Sequence, residues 1–349
     1  MQREPVDALL QRIPALEKVG NALSVRDWAR GFAQQAAHDD STRQRFRWLA
    51  RATAHDVVLG KLLESHLDAL QILHELLGAT DSARLLQHLA PADGLWGVWC
   101  AQAAGVPALR LEHGDAGPRI TGRKSWCSGA GLVQAALLTC DDAGQSQLVA
   151  VAMNHPGVQV TQDGWHAVGM AGTGSVDVVF DQVPAIPVGL PGAYVDRAGF
   201  WHGAAGVAAC WHGGACAIAQ PLRQRVREAG AQADGLLAAP LGVVDCALEA
   251  SALVLRDAAD RIDSARAGGE PFGRRHALRA RGVVEAAAQT VLAEVGRALG
   301  AGPLCRDAAH ARRTADLAVF LRQSHAQWDL AVQGRLLAAD DGADGQWQI

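Results

Sequence analysis

The chain has 349 residues, 49% of them apolar, with 32 basic against 36 acidic side chains and a formal net charge of −4. That is a globular composition, long enough for one large domain or two or three smaller ones. It excludes a basic nucleic-acid protein, since there is no basic tail and no Lys/Arg run interleaved with aromatics. No run reaches the ~18 uninterrupted apolar residues of a membrane span.

Residues 1–90 are rich in Leu, Ala, Arg and His and predict an N-terminal α-helical domain. The opening MQREPVDALLQRIP has the pattern of neither a signal nor a transit peptide. Leu63, Leu67, Leu70, Leu73 and Leu77 recur at helical spacing, which predicts one buried face, with Gly78 as a C-cap. His66 and His74 stand eight residues apart and read as packing residues, because no HExxH pattern accompanies them.

Residues 91–190 predict a middle β-domain. Leu109 and Leu111 alternate with Arg110 and Glu112, GDAGP supplies a turn, and RITGRKSW resumes in extended form. The segments ALLTC, QLVAVAM, GVQVTQ and SVDVVF follow without intervening helices, as in an antiparallel barrel or sandwich.

Residues 191–349 predict a C-terminal bundle of four long helices. The first runs near 198–228 and carries Trp201, His202, Trp211 and His212. Leu241, Val244, Leu248, Ala252, Leu255 and Ile262 mark the second, with Pro240 near its first turn. Val284, Ala287, Val291, Val295 and Leu299 mark the third, stopped by GAGP. Leu317, Leu321, Trp328, Val332 and Leu336 mark the fourth. Arg274, Arg275, Arg279 and Arg281 read as a solvated helix face, able also to hold a phosphate-bearing ligand. The tail DDGADGQWQI reads as frayed. The fold class is therefore α+β. Seven Cys without a CxxC pair read as reduced thiols of a cytoplasmic protein.

Two segments inside this layout are distinctive. TGRKSWCSGA, from Thr121, and VGMAGTGSVDVVFDQVPA, from Val168, together resemble the β-domain motifs of the acyl-CoA dehydrogenase superfamily. The resemblance implies an N-terminal helical domain, a central β-domain and a C-terminal four-helix bundle. It also implies a flavin cofactor, FAD, with Trp126 against the ring and Ser128 at its edge. An indole face can bury the flat apolar ring while a hydroxyl serves its polar edge. In GVWCAQAAGVPALRL, Trp99 takes the family's aromatic position and Gln102 its Thr position, but the Glu-Pro and Gly-Ser-Asp elements are absent. In RALGAGPLC, Gly300 and Gly302 match glycines that let backbone approach the cofactor's pyrophosphate, although a helix C-cap needs them equally. The family's Arg-x-x-Phe-Gly is missing around GLLAAPLGVVDC.

What the resemblance implies for function is an oxidoreductase acting on CH–CH bonds of an acyl or acyl-CoA-like small molecule. A homodimer or homotetramer and an electron-transfer partner are implied with it. Such chemistry needs a carboxylate base fixed on a rigid helix. The family's Glu in the last helices is absent, and the last Glu of the chain is Glu294. The region reads RRTADLAVFLRQSHAQWDL instead, which is closer to the superfamily's flavin monooxygenases. Its candidates are Arg322, His325 and Asp329. His325 and Asp329, at i and i+4, are expected on one helix face as an acid–base pair, with Arg322 facing an anionic substrate group. Three functions follow: a dehydrogenase, a reduced-flavin-dependent monooxygenase, or a non-catalytic member with a scaffold role.

Overall fold

The computed structural model describes residues 22–36, 38–230 and 234–339. The expectations for the opening segment 1–14 and for the tail 340–349 lie outside the described residues. In chain order the helices are α1 (Ala22–Ala36), α2 (Thr42–His55), α3 (Val57–Leu89), α4 (Ala193–Asp196), α5 (Gly199–Ala229), α6 (Gly235–Arg266), α7 (Arg274–Leu299), α8 (Ala301–Arg306), α9 (Ala308–Phe320) and α10 (Gln327–Ala338). The strands are β1 (Trp96–Trp99), β2 (Arg110–Gly114), β3 (Gly117–Cys127), β4 (Ala135–Asp142), β5 (Gln145–Ala152), β6 (Val158–Val160), β7 (Val176–Pro184) and β8 (Ile186–Pro187). The chain divides into two compact units, Met1–Asp39 with Val58–Phe200, and Asp40–Val57 with Trp201–Ile349.

The first unit is a sheet with helices against it. Its strand order is β6-β7-β3-β2-β4-β5-β8, with β1 also paired to β4. Pairing is mostly antiparallel, as expected, but β1 and β2 both run parallel to β4. The GDAGP turn forms and joins β2 to β3. Ala143 and Gly144, both at positive φ, make the tight turn between β4 and β5.

Gly78 ends the first part of α3 at φ 76, and a second helical segment follows the kink. The leucine pattern understates the burial of α3. Glu64, Ser65 and His66 are buried along with Leu63 and Leu67. The polar residues have a purpose: Ser65 Oγ accepts the Val98 N–H at 2.9 Å and His66 Nδ1 accepts the Trp96 N–H at 3.2 Å. Side chains of α3 thus complete the edge of β1 that faces away from β4. Ile72 and Leu73 of α3 pack with Trp96, Leu137 and Ala150 in the core.

The second unit is a helical bundle containing α2. Gly213 of α5 lies so close to α2 that an added Cβ would stand 2.0 Å from the Ala50 carbonyl oxygen. Only glycine permits that approach. Asp263 of α6 accepts from both the amide and the hydroxyl of Thr42 at the start of α2. Val244, Leu255, Ala259 and Ile262 of α6 are buried, as are Val284, Ala288, Val291 and Val295 of the adjoining α7.

Among the described residues one helix, α6, is long and apolar enough to cross a membrane by length and composition, and 11% of its most apolar window is buried. Asp245 and Glu249 interrupt its apolar run.

Two expectations for the bundle need correcting. The fourth helix is not continuous. α9 ends at Phe320, Leu321–Gln323 form a 3-10 turn, and Ala326 adopts φ 45 before α10 begins. Trp328, expected in the core, is 58% exposed. The basic run is also no simple solvated face: Arg281 is buried and donates to the Ala204 and Gln323 carbonyls.

Candidate functional site

In the first unit, three of the predicted cofactor residues, Trp99, Trp126 and Ser128, gather at the end of β3. This strand pairs with β7, and the register shifts between Lys124 and Cys127. At that bulge Trp126 takes φ 60. A left-handed conformation is costly for a bulky residue, of order 1–2 kcal/mol, and persists where its surroundings hold it. The neighbours do hold it. Lys124 is buried and donates to the carbonyl and hydroxyl of Thr139, both at 3.0 Å, which ties β3 to β4; burial lowers its pKa. Cys127 is fully buried. Between them the indole of Trp126 is turned outward and is 46% exposed.

Ser128 lies beside it on a chain of hydroxyls. Ser128 Oγ contacts Ser175 Oγ at 2.8 Å, and Ser175 Oγ contacts Thr173 Oγ1 at 2.7 Å. Thr173 donates to the Met170 carbonyl at 2.8 Å. Two left-handed residues, Met170 and Gly174, shape that loop, and the Gly129 amide donates to the Thr173 carbonyl at 2.7 Å. A hydroxyl has one proton. Thr173 gives its proton to Met170, so Ser175 must donate to Thr173 and Ser128 to Ser175. Ser128 is left presenting lone pairs, as an acceptor.

Trp99 sits beneath this arrangement. It is buried, and its indole N–H donates to the Ser128 carbonyl at 3.0 Å. It therefore supports the Ser128 turn. Gln102 is exposed and donates to the Val106 carbonyl at 2.6 Å, so its amide closes its own loop and joins neither Trp126 nor Ser128 by a hydrogen bond. Burial holds His66 down at about 4, which keeps it a neutral acceptor for the Trp96 amide.

In the second unit, Gly300 ends α7 at φ 63 and α8 follows directly. Gly302 lines a surface cleft of about 520 Å³ with Arg225, Arg306 and Pro303. His325 and Asp329 meet, but not as two residues of one helix. His325 precedes α10, and its amide donates to Asp329 Oδ2 at 3.2 Å while the ring Nδ1 lies 3.5 Å from Oδ1. The carboxylate caps the start of α10 and holds the imidazole at once. The His325 side chain is 74% exposed. Arg322 turns away from this pair to Glu285, at 3.0 Å.

Sequence reasoning missed three elements. Thr173 and Ser175 were visible only as GTGS in a loop. Glu285 is a buried carboxylate held by Arg322 and by Gln289 at 2.9 Å. The Arg274 guanidinium lies over the rings of both Trp201 and Trp328, 5.7 and 5.8 Å from their centroids. Nothing in the linear spacing of 201, 274 and 328 signals that stack. Among the described residues no group of three or more His, Cys, Asp or Glu could hold a metal ion.

The order of elements, helices then a sheet then a bundle, is that of the acyl-CoA dehydrogenase fold, and the chain has that fold. FMN-bound TdsC from Paenibacillus sp. A11-2, a dibenzothiophene monooxygenase, superposes with a TM-score of 0.81 at 17% identity, over 94% of each chain. KijD3 in complex with FMN and a dTDP-sugar gives 0.79 at 19% identity, over 97% of this chain and 92% of that one. Butyryl-CoA dehydrogenase from Megasphaera elsdenii gives 0.79 at 14% identity, over 97% and 99%. No family model and no curated protein matches the chain by sequence. The fold thus carries both flavin monooxygenases and an acyl-CoA dehydrogenase.

Proposed function

We propose that the chain is a flavin-dependent monooxygenase that uses reduced flavin and molecular oxygen on a small organic substrate. The observation that carries this reading is the polarity of the Ser128–Ser175–Thr173 chain. A reduced flavin bears a proton at N5, whereas the oxidised ring has a bare acceptor nitrogen there. Ser128, presenting lone pairs, suits the reduced form. Trp126 supplies the flat apolar face for the ring. When bound, the flavin would supply the electrons that activate oxygen. The first unit's own residues would orient the ring, Trp126 against its face and Ser128 at its edge.

Two features weigh against the dehydrogenase reading. The Glu of the last helices is absent, and the buried carboxylate of α7, Glu285, is already committed to Arg322 and Gln289. The missing pyrophosphate Arg favours FMN over FAD, and FMN is what TdsC and KijD3 are described with.

Anaerobic titration of the purified protein with oxidised and with reduced FMN is the direct test. About tenfold tighter binding of the reduced form is expected, the scale of one well-placed hydrogen bond. Tighter binding of the oxidised form, or no binding of either, would overturn the proposal. Incorporation of ¹⁸O₂-derived oxygen into product separates a monooxygenase from an oxidase.

The exposed apolar side chains of α6, Leu236, Val243 and Leu253, support a homo-oligomer that covers them. Leu253→Arg is expected to lower the mass measured by light scattering, and an unchanged mass would leave that face out of the assembly.

A further inference from the structure

Three polar side chains of the second unit form a hydrogen-bonded chain that ends in a thiol. His212 and Cys216 stand one turn apart on α5, and Ser251 reaches them from α6. Ser251 is fully buried, whereas Cys216 is partly exposed. Ser251 Oγ donates to the Leu248 carbonyl at 2.9 Å, and His212 Nδ1 lies 2.6 Å from that same hydroxyl oxygen. Cys216 Sγ lies 3.4 Å from His212 Nε2. A carbonyl can only accept, so the single Ser251 proton goes to Leu248 and Nδ1 must donate to Ser251. That sets the tautomer of the neutral ring: Nε2 carries no proton, and the Cys216 thiol donates to it.

Burial keeps this pair neutral, pushing the thiol up to about 11 and lowering the imidazole. The charges that bear on the ring, Arg256 and Glu249 of α6, act in opposite directions and pair with each other at 3.1 Å. A neutral thiol facing a bare imidazole nitrogen is a nucleophile with its base in place. The proton leaves as sulfur attacks, and the Ser251 oxygen steadies the imidazolium that forms. Cys127 and Cys140 differ: they are buried and point their protons at the Lys124 and Gln147 carbonyls, at 3.3 and 3.4 Å, which cannot act as bases. A thiol at about 11 is ionised roughly a hundredfold less at pH 7 than an ordinary one and regains up to about tenfold in nucleophilicity. General-base help of about 10²–10⁴-fold outweighs that deficit.

We propose that Cys216 is a peroxide-reactive thiol, with His212 as its base and Ser251 as the residue that sets the tautomer. Sulfur attacks one oxygen of hydrogen peroxide; the S–O bond forms as the O–O bond breaks. Sulfur is oxidised to the sulfenic acid and the peroxide is reduced to water. The thiol proton passes to Nε2 and then to the leaving hydroxide, so the step balances without a further reactant. A peroxide fits this proton path because its leaving group needs the proton that the thiol gives up. It is also small enough to reach a partly exposed thiol. Peroxide from any source serves, so a bound flavin is not required.

Timed exposure of the whole protein to hydrogen peroxide tests it, with sulfenic acid then trapped by dimedone at one fixed pH and located by peptide mass spectrometry. Cys305, exposed on α8, is the internal reference. At pH 7 Cys216 should be oxidised about tenfold faster than Cys305, although it is the less exposed of the two. Its rate should change by less than about twofold between pH 7 and 8, where the imidazole is already neutral. His212→Gln should slow Cys216 by about a hundredfold and leave Cys305 unchanged. In that variant the Cys216 rate should climb about tenfold per pH unit, as the thiolate fraction does. Cys216 no faster than Cys305, or a tenfold rise per pH unit in the unaltered protein, would overturn the proposal. So would a folded His212→Gln variant whose Cys216 rate is unchanged. If circular dichroism shows that variant unfolded, the rates and pH profile of the unaltered protein decide alone. A protein that binds reduced FMN but leaves Cys216 unreactive keeps the proposed function and loses this site; the reverse result loses the flavin reading alone.

Discussion

Two tryptophans are turned to solvent at or near a residue of positive φ, and they are held there by different means. Trp126 in the first unit is itself the left-handed residue, at φ 60, fixed by a bulge whose flanking residues are buried. Trp328 in the second unit has an ordinary helical backbone two residues beyond the left-handed Ala326, and it is fixed from below by the Arg274 guanidinium. The first ring is therefore positioned by backbone and the second by a side-chain stack. A ring positioned by backbone has few rotational alternatives and suits a flat cofactor that must be held in one plane. A ring positioned by one cation can be tuned or removed by a single substitution.

The strongest way to break the second region is through its floor. Arg281 donates to the Ala204 and Gln323 carbonyls and lies 4.6 Å from the Trp211 ring centroid, so it ties α5 and α7 to the turn that precedes His325. Arg281→Met removes the hydrogen bonds to both carbonyls and the cation beside the Trp211 ring. The expected loss is about 3 kcal/mol in urea unfolding. A loss below ~1 kcal/mol would mean that the turn is held by other contacts.

The first region has an acid weakness of similar size. His66 is held neutral, with its pKa near 4 against an ordinary 6.5. As pH falls through the unfolded value, the unfolded chain takes up the proton first. Stability is therefore full above ~6.5 and declines towards about 4, at up to ~1.4 kcal/mol per unit. His66→Gln keeps an acceptor for the Trp96 amide and should flatten the urea-unfolding slope by one proton. His212, His276 and His310 are also lowered by burial and would keep the rest of the slope.

The two regions also differed in how far the sequence disclosed them. The Trp126–Ser128 segment was legible because its parts are contiguous and a strand end displays them together. Even there, the partners that orient Ser128 were hidden in GTGS, since hydroxyl pairing across a loop leaves no periodic trace. In the bundle, the heptad-like run from Leu317 to Leu336 predicted one helix. Apolar spacing does not register a break at Ser324–Ala326 that costs no apolar position. His325 and Asp329 were expected together for being on one helix, and they meet because Asp329 reaches back to cap its own helix. Arg274, Trp201 and Trp328 come from three helices, and only packing unites them.

A smaller effect should separate the redox states at Ser128. Ser175→Ala removes the acceptor for the Ser128 hydroxyl proton. Ser128 can then turn and donate, which suits the oxidised ring. The reduced-form preference should narrow by about tenfold, ~1.4 kcal/mol, or a fall of ~30 mV in the bound flavin's two-electron midpoint potential. An unchanged potential would place the polarity elsewhere.

The finest discrimination compares Gly with Ala at the two tryptophans. At position 126 the backbone sits at φ 60, where Ala keeps the strain that Gly lacks. Trp126→Gly should therefore be more stable than Trp126→Ala by about 1 kcal/mol, although both lose the indole. At position 328 the backbone is helical, in the first turn of α10. There Ala is the better helix former, and Trp328→Ala should be more stable than Trp328→Gly by about 0.5–1 kcal/mol. Thermal unfolding of the four variants gives two differences of opposite sign. If both have the same sign, the left-handed bulge at Trp126 does not persist in solution. The backbone argument for its outward ring then fails, while the Arg274 stack under Trp328 stands untouched.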